Sequence, residues 1–298
     1  MVVVDYKAGQ LANRLFQFSY FIAHALEHNY KLINPFFEEY RDLFKMTVKS
    51  QFDTGNIRLN FSGNSFINKK LAQIVSRLRK FSEKNNNSLF FFEFHNIRQQ
   101  YDQQYKVFDM SDASFVKRAK QKILFAKGWH YRDSVALTKH ADTIRKIFMP
   151  VDVFMDQVKE VSAEVKNYDV RIGVHLRKGD YENFFEGRWF YDENVYKQKM
   201  QVLKNAFDAQ EKTCVFILYS NEPLHTANFT EFNVLTGGRP AVVDLYSMTT
   251  CDYLLGPPST FTMWASFYGK VPLLILKDKD TMPSIGNFKI ANGVEAFF

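Results

Sequence analysis

Cysteine is scarce: Cys214 and Cys251 are the only thiols in 298 residues. Two thiols make neither a disulfide framework nor a metal-ligand cluster, and both fall in apolar stretches that read as buried strands. A reduced, cytosolic setting is therefore expected. Long apolar runs are missing too. No stretch of about 18 uncharged apolar residues occurs, so no transmembrane helix is expected. The aromatic run Leu89-Phe90-Phe91-Phe92 is too short to span a bilayer. The start, Met1-Val2-Val3-Val4-Asp5, has no charged leader before an apolar run, so a signal peptide is not expected. There is no Gly-x-x-x-x-Gly-Lys phosphate loop, no Gly-x-Gly-x-x-Gly turn and no nucleophile elbow. Internal repeats and low-complexity tracts are also lacking.

What is present is an ordinary globular composition, 46% hydrophobic and 24% charged, with a high aromatic share of 16% that includes 31 Phe. Most of those rings are expected to fill core. Net charge is +7 but unevenly spread: residues 41–150 hold 21 Lys and Arg against 9 Asp and Glu, which is +12 and leaves −5 elsewhere. Such a segment suits phosphates, an anionic lipid surface or nucleic acid, or simply supplies solvated helix faces. No aromatic-basic interleaving of a nucleic-acid motif appears in it, so nucleic acid is not an expected partner.

Val2-Val3-Val4 is a short β-rich run that ends in a glycine loop around Gly9. Leu11, Leu15, Phe18, Phe21, Ile22 and Ala25 then fall on one helix face. Residues 68–84 read as a basic amphipathic helix with Leu71, Ile74, Val75, Leu78 and Phe81 on one face, ended by a turn at Lys84-Asn85-Asn86-Asn87. Ser111 is placed to cap a second basic helix reaching about Gln121. Ile123 to Ala126 reads as a buried strand, and a helix is expected over 134–148, stopped by Pro150. The second half is more regular. Val170, Ile172 and Val174 alternate in a strand ending at His175. A helix over 193–208 and a strand from Cys214 to Tyr219 follow. Ala241-Val242-Val243 reads as a strand ending at Asp244, and Asp252 to Leu255 as another. Ser259 caps a helix to about Tyr268, and Val271 to Leu276 is a last strand. Strands alternating with helices mean an α/β chain with parallel, doubly wound sheets. Two domains are expected, 1–160 and 161–298, with the boundary between 150 and 168.

In open parallel sheets ligands bind beyond the carboxyl ends of the strands. His175 and Arg177 follow one strand, Ser220 and Asn221 another; Asp244 ends a third, and Ser259 and Thr260 open a helix after a fourth. Arg177 can fork two donors onto a phosphate. Ser259, Thr260 and the backbone of a helix start favour an anion. A pyrophosphate between them would be neutralised without a metal. Asp244 can accept from the N1–H and N2–H₂ edge of guanine, and His175 can meet a base or ribose. Each residue also has a plain structural use: Arg177 can pair with Asp180, and Ser259 can be a cap. Their convergence on one sheet edge favours an anionic or nucleotide ligand. Asp278-Lys279-Asp280 has the acid-x-acid spacing that holds Mn²⁺ in some glycosyltransferases, but it lies near the end of the chain and no metal is expected there. His24 and His28 are four apart on a helix with no third ligand evident, and they read as surface or packed histidines.

The segment His175-Leu176-Arg177-Lys178-Gly179-Asp180-Tyr181 resembles the His-x-Arg-Arg-Gly-Asp-Tyr signature of bacterial α-1,2-fucosyltransferases. Gly9-Gln10-Leu11-Ala12-Asn13-Arg14-Leu15-Phe16-Gln17-Phe18 is similar to that family's opening loop. Lys127-Gly128-Trp129 resembles a mid-chain element. Asp244 through Trp264, with Ser259-Thr260-Phe261, resembles its C-terminal block. The four matches come in the family's order. The resemblance implies two Rossmann-like doubly wound domains of the GT-B type, a GDP-fucose donor, inversion at the anomeric carbon and no required metal. It implies that Arg177 holds the β-phosphate, His175 the nucleotide, Asp244 the guanine, and Ser259, Thr260 and Phe261 the diphosphate end, with Ser220 and Asn221 nearby. Residues 1–160 would take the glycan acceptor, and Asn13 would sit near the reacting sugar. A galactoside 2-α-L-fucosyltransferase acting in surface polysaccharide or O-antigen synthesis is the expected activity. Asp180, Glu182 and Glu186 are open as the general base, with Glu186 similarly placed to a residue of α-1,6-fucosyltransferases.

The sequence departs from the pattern at Ala12 in place of glycine, Lys178 in place of the second arginine, Ser220-Asn221-Glu222 in place of Ser-Asp-Asp, and Pro257-Pro258 before Ser259. Alternatives are a protein O-fucosyltransferase-like enzyme, a transferase using another nucleotide sugar, and a non-catalytic nucleotide- or sugar-binding module. The basic 41–150 segment is consistent with peripheral contact at the anionic inner face of a membrane. Oligomeric state is not legible.

Overall fold

A computed structural model describes residues 1–48, 55–83, 91–236 and 238–294. Two compact units divide the chain between Val151 and Asp152. The division falls ahead of residue 160 because helix 152–164 packs within the second unit.

The first unit opens with strand β1 (Val2–Val4) and helix α1 (Leu11–His28). Strands β2 (Leu32–Ile33) and β3 (Ile57–Arg58), helix α2 (Ser65–Glu83) and strand β4 (Phe92–Asn96) follow. Next come strand β5 (Phe108–Asp109), helix α3 (Ala113–Gln121), strands β6 (Ile123–Lys127) and β7 (Tyr131–Arg132), and helices α4 (Ser134–Lys139) and α5 (Ala141–Ile147). The sheet is parallel in the order β3-β2-β1-β6-β4, with β5 and β7 paired separately.

Helix α1 is buried along most of its length because its apolar face is wide: Leu15, Phe16, Phe18, Phe21 and Ile22 are all fully enclosed. On α2, Val75 and Leu78 pack on Val3, Phe94 and Phe125, as expected. Ile74, expected on that same face, is exposed. The expected turn at 84–87 lies outside the described residues. The cap of α3 is Asp112 rather than Ser111: its carboxylate accepts from the N–H groups of Ser114 and Phe115, and a carboxylate at this position also favours the helix dipole. The expected helix over 134–148 is two helices broken at His140.

The second unit runs from helix α6 (Asp152–Glu164) through strand β8 (Val170–Leu176), helix α7 (Glu193–Asp208) and strand β9 (Cys214–Ser220). Strand β10 (Val234–Thr236), helix α8 (Ala241–Ser247), strand β11 (Tyr253–Gly256), helix α9 (Thr260–Gly269) and strand β12 (Leu273–Ile275) complete it. The sheet is parallel throughout in the order β10-β9-β8-β11-β12. Central β8 alternates in sequence yet is buried on both faces, with only Arg171 half-buried, as a strand covered by helices on both sides must be. One expectation is corrected here. Ala241-Val242-Val243 is the first turn of helix α8, not a strand, and Asp244 lies in that turn. Pro240 stands at the N-cap with extended backbone angles, where the missing N–H does no harm. Val242 and Val243 are buried and Ala241 is exposed, and a run of three apolar residues carries no period that separates strand from helix.

Candidate functional site

In the second sheet, β8 leads outward on one side through β9 to β10 and on the other through β11 to β12, so the topological switch point lies between β8 and β11. In open parallel sheets that is the place where ligands bind, beyond the carboxyl ends of the two strands. His175 and Arg177 leave β8, and Ser259 opens α9 after β11. Gly256, at the end of β11, lets the strands close: a Cβ there would lie 3.0 Å from the His175 Cβ.

His175 is buried, its ring 5.5 Å from that of Phe261, and its Nδ1 has no hydrogen-bond partner. Burial, and then the Arg177 cation, pushes its pKa down to about 3. The imidazole is therefore neutral at physiological pH. Arg177 lies 5.2 Å over the Tyr181 ring and donates from Nη2 to Asp180 at 2.7 Å, while its buried Nε is unpartnered. Tyr181 in turn donates its hydroxyl hydrogen to the Pro258 carbonyl. One side chain thus ties the β8 loop to the turn that leads into α9. Ser259 is buried and accepts from the Phe261 N–H at 3.2 Å, a helix cap. Thr260 follows as the first residue of α9.

Asp244 meets the same edge from another element. Helix α8 follows β10, so its first turn starts beyond the carboxyl end of the sheet. The carboxylate is buried, its Oδ1 has no partner, and burial lifts its pKa to about 6 against the pull of Arg239.

Ser220 and Asn221 have local roles. The Ser220 hydroxyl accepts from the Glu222 N–H at 3.2 Å. The Asn221 amide accepts from the Lys178 N–H at 2.9 Å and donates to the Lys178 carbonyl at 3.1 Å. Lys178 reaches Glu193 at 2.7 Å, and Glu193 also accepts from Asn228. The lysine is thus anchored to the start of α7. The sequence names Tyr181 and Lys178 only as members of the signature segment; the Tyr181–Pro258 bond and the Lys178–Glu193–Asn228 chain are visible in the structure alone. A lysine and a glutamate 15 residues apart carry no local signal.

Beyond Tyr181, Phe185 (φ 49°), Glu186 (φ 56°) and Gly187 (φ 74°) are consecutive left-handed residues. Glu182 and Glu186 are exposed there. Asp278, of the acid-x-acid pair, accepts from the N–H groups of Asp280 and Thr281, a turn of its own.

In the first unit the corresponding switch point lies between β1 and β6. Gly9 (φ 29°) packs so closely on Asn13 that a Cβ would lie 2.2 Å from the Asn13 Nδ2. Arg14, buried, donates to the Ala8, Gly9 and Phe36 carbonyls and to Glu39. Gln17 donates to the Gly128 carbonyl at 3.0 Å. The opening loop and the Lys127-Gly128-Trp129 element are therefore joined. Asp102 organises the far side, accepting from the Trp129 and His130 N–H groups.

Two units with parallel, doubly wound sheets define the fold as the GT-B type of glycosyltransferases. A variant of FUT1 from Arabidopsis thaliana in complex with GDP matches with a TM-score of 0.61 at 14% identity, over 99% of this chain and 74% of that one. POFUT1 in complex with GDP-fucose matches with a TM-score of 0.56 at 12% identity, over 95% and 96% of the two chains. The fucosyltransferase NodZ from Bradyrhizobium matches with a TM-score of 0.55 at 14% identity, over 92% and 95%. No protein-family model and no curated protein matches the sequence. No helix among the described residues is long and apolar enough to cross a membrane.

Proposed function

We propose that this chain is an inverting glycosyltransferase that moves L-fucose from GDP-fucose to a hydroxyl of a glycan acceptor. The carrying observation is the half-satisfied Arg177 guanidinium at the β8–β11 switch point, in a fold shared with proteins captured with GDP and GDP-fucose. Asp244 receives the guanine edge and His175 the nucleoside. Ser259, Thr260 and Phe261 present the N-terminus of α9 to the diphosphate, with Ser220 and Asn221 bordering it.

The acceptor hydroxyl attacks C1 of fucose from the face opposite GDP. The C1–O bond to the β-phosphate breaks, GDP leaves with the electron pair, and the hydroxyl proton passes to a carboxylate. Charge builds on the leaving phosphate through an oxocarbenium-like transition state, and Arg177 with the helix N-terminus stabilises it without a metal. Asp180 is engaged with Arg177, which favours Glu186 as base, with Glu182 as the alternative. The first unit serves the acceptor, with Asn13 in its opening loop, and a galactoside 2-hydroxyl is the proposed nucleophile.

Helix α2 supports the proposed peripheral contact with an anionic membrane. Phe66, Ile67 and Ile74 are exposed on it beside Lys70 and Arg77. Co-sedimentation with liposomes that ignores anionic lipid content would remove this contact.

The test is thermal shift and donor hydrolysis across GDP-, UDP- and CMP-sugars. GDP-fucose is expected to stabilise the protein most, and Arg177→Ala to lower transfer by about 100- to 1000-fold with the fold intact. Equal stabilisation by UDP-sugars, or an active Arg177→Ala, overturns the proposal. Binding without turnover would identify a nucleotide-binding module instead.

A further inference from the structure

His24 and His28 share one face of α1, and the topology supplies the third donor that the sequence does not display. Asp133 caps α4 by accepting from the Ala136 N–H at 2.9 Å. One ligand atom from each of His24, His28 and Asp133 lies within 4.8 Å of the other two. His24 and Asp133 are buried, His28 is half-buried, and the two imidazole rings are 4.4 Å apart. The His24 Nδ1 is held 2.7 Å from the Tyr30 hydroxyl, and its Nε2 is buried with no hydrogen-bond partner.

We propose that His24, His28 and Asp133 bind a divalent first-row transition ion, of the class of Zn²⁺, that staples α1 to the start of α4. Two histidines at i and i+4 on one helix face present converging nitrogens, the spacing used by helical zinc sites. Two imidazoles and a carboxylate suit Zn²⁺ or Co²⁺ and leave a coordination position for water. The Tyr30 contact fixes one nitrogen of His24, as the outer partners of metal-bound histidines do, and leaves Nε2 for the ion. The three atoms, within 4.8 Å of one another, must draw closer onto one coordination sphere when the ion enters. The staple lies wholly within the first unit and is independent of the donor chemistry proposed for the second.

The test uses the full chain without an affinity tag, stripped with a chelator. Zn²⁺ is expected to bind at one ion per chain and raise the melting temperature by a few degrees, reversed by chelator, while Mg²⁺ does not. Co²⁺ is expected to give the intense visible absorption of a low-coordinate site. His28→Ala and Asp133→Asn should each abolish both effects; asparagine keeps the helix cap, so the second variant separates ligation from folding. Should either variant melt lower without metal, the Co²⁺ spectrum recorded below its transition still reads ligation. Binding by the variants equal to that of the unaltered chain overturns the site, as does stabilisation by Zn²⁺ no greater than by Mg²⁺.

Discussion

Asp244→Asn should make the protein more stable while removing its nucleotide selectivity. Burial lifts the Asp244 carboxyl from the usual 3.8 to about 6. At 1.36 kcal/mol per pH unit, keeping it ionised in the folded state above pH 6 disfavours folding by about 3 kcal/mol. The sign follows from proton uptake. Between pH 3.8 and 6 the folded state binds the proton more tightly than the unfolded state, so stability falls as pH rises through this window. Above pH 6 the deficit is constant. Asparagine does not titrate, so the variant should match the parent near pH 4 and exceed it by up to about 3 kcal/mol at pH 8. Urea denaturation at both pH values reads the difference, since the slope should not change. The same variant should bind GDP weakly, because an amide cannot accept both guanine N–H groups through two oxygens. Parallel pH profiles for parent and variant would refute the burial argument. Unchanged GDP affinity would refute the base-recognition argument separately.

Three further outcomes follow from the geometry. Tyr181→Phe removes the hydrogen bond to Pro258 and should lower stability by about 1 kcal/mol, yet reduce kcat for transfer by a larger factor, because the β8 loop and the turn into α9 lose their tie; equal melting and unaltered kcat would contradict this. Gly128→Ala places a Cβ 2.4 Å from the Ile97 side chain at φ 144° and should destabilise the protein by more than 1 kcal/mol, read by denaturant midpoint. His175 is held neutral with a pKa near 3, so its contribution is present above pH 6.5 and lost as pH falls toward 3; His175→Gln should flatten acid unfolding in that window, and an unchanged acid midpoint would exclude it.

The parts of this structure legible in the sequence are those with long, self-consistent patterns. Strand β8 alternates over seven residues. Helix α7 carries its own cap, Asp192, and an apolar stripe through Tyr196, Met200 and Leu203. Helix α9 announces itself with Ser259. Where the pattern is short, neighbours decide. Ala241 to Val243 reads equally as strand or helix, and Pro240 together with packing on α6 makes it helix. Ser111 and Asp112 are both capable caps, and charge favours the second. The candidate site divides in the same way. Arg177, His175 and Ser259 were placed by strand ends and a cap, which are local signals. Tyr181, the anchoring of Lys178 on Glu193 and the approach of Asp133 to His24 depend on chain segments brought together by the sheet, and no spacing in the sequence encodes them.

Asn221 carries a consequence for how the site responds to its loop. The backbone pairing of β8 with β9 stops at Leu176 and Ser220, but the Asn221 amide both accepts from and donates to Lys178. A side chain imitates a peptide group and gives the sheet one more rung. Arg177 is thereby enclosed between two rungs of a ladder. Its backbone inherits the rigidity of the sheet, whereas the left-handed residues Phe185 to Gly187 lie beyond that last rung and have no such ladder to hold them.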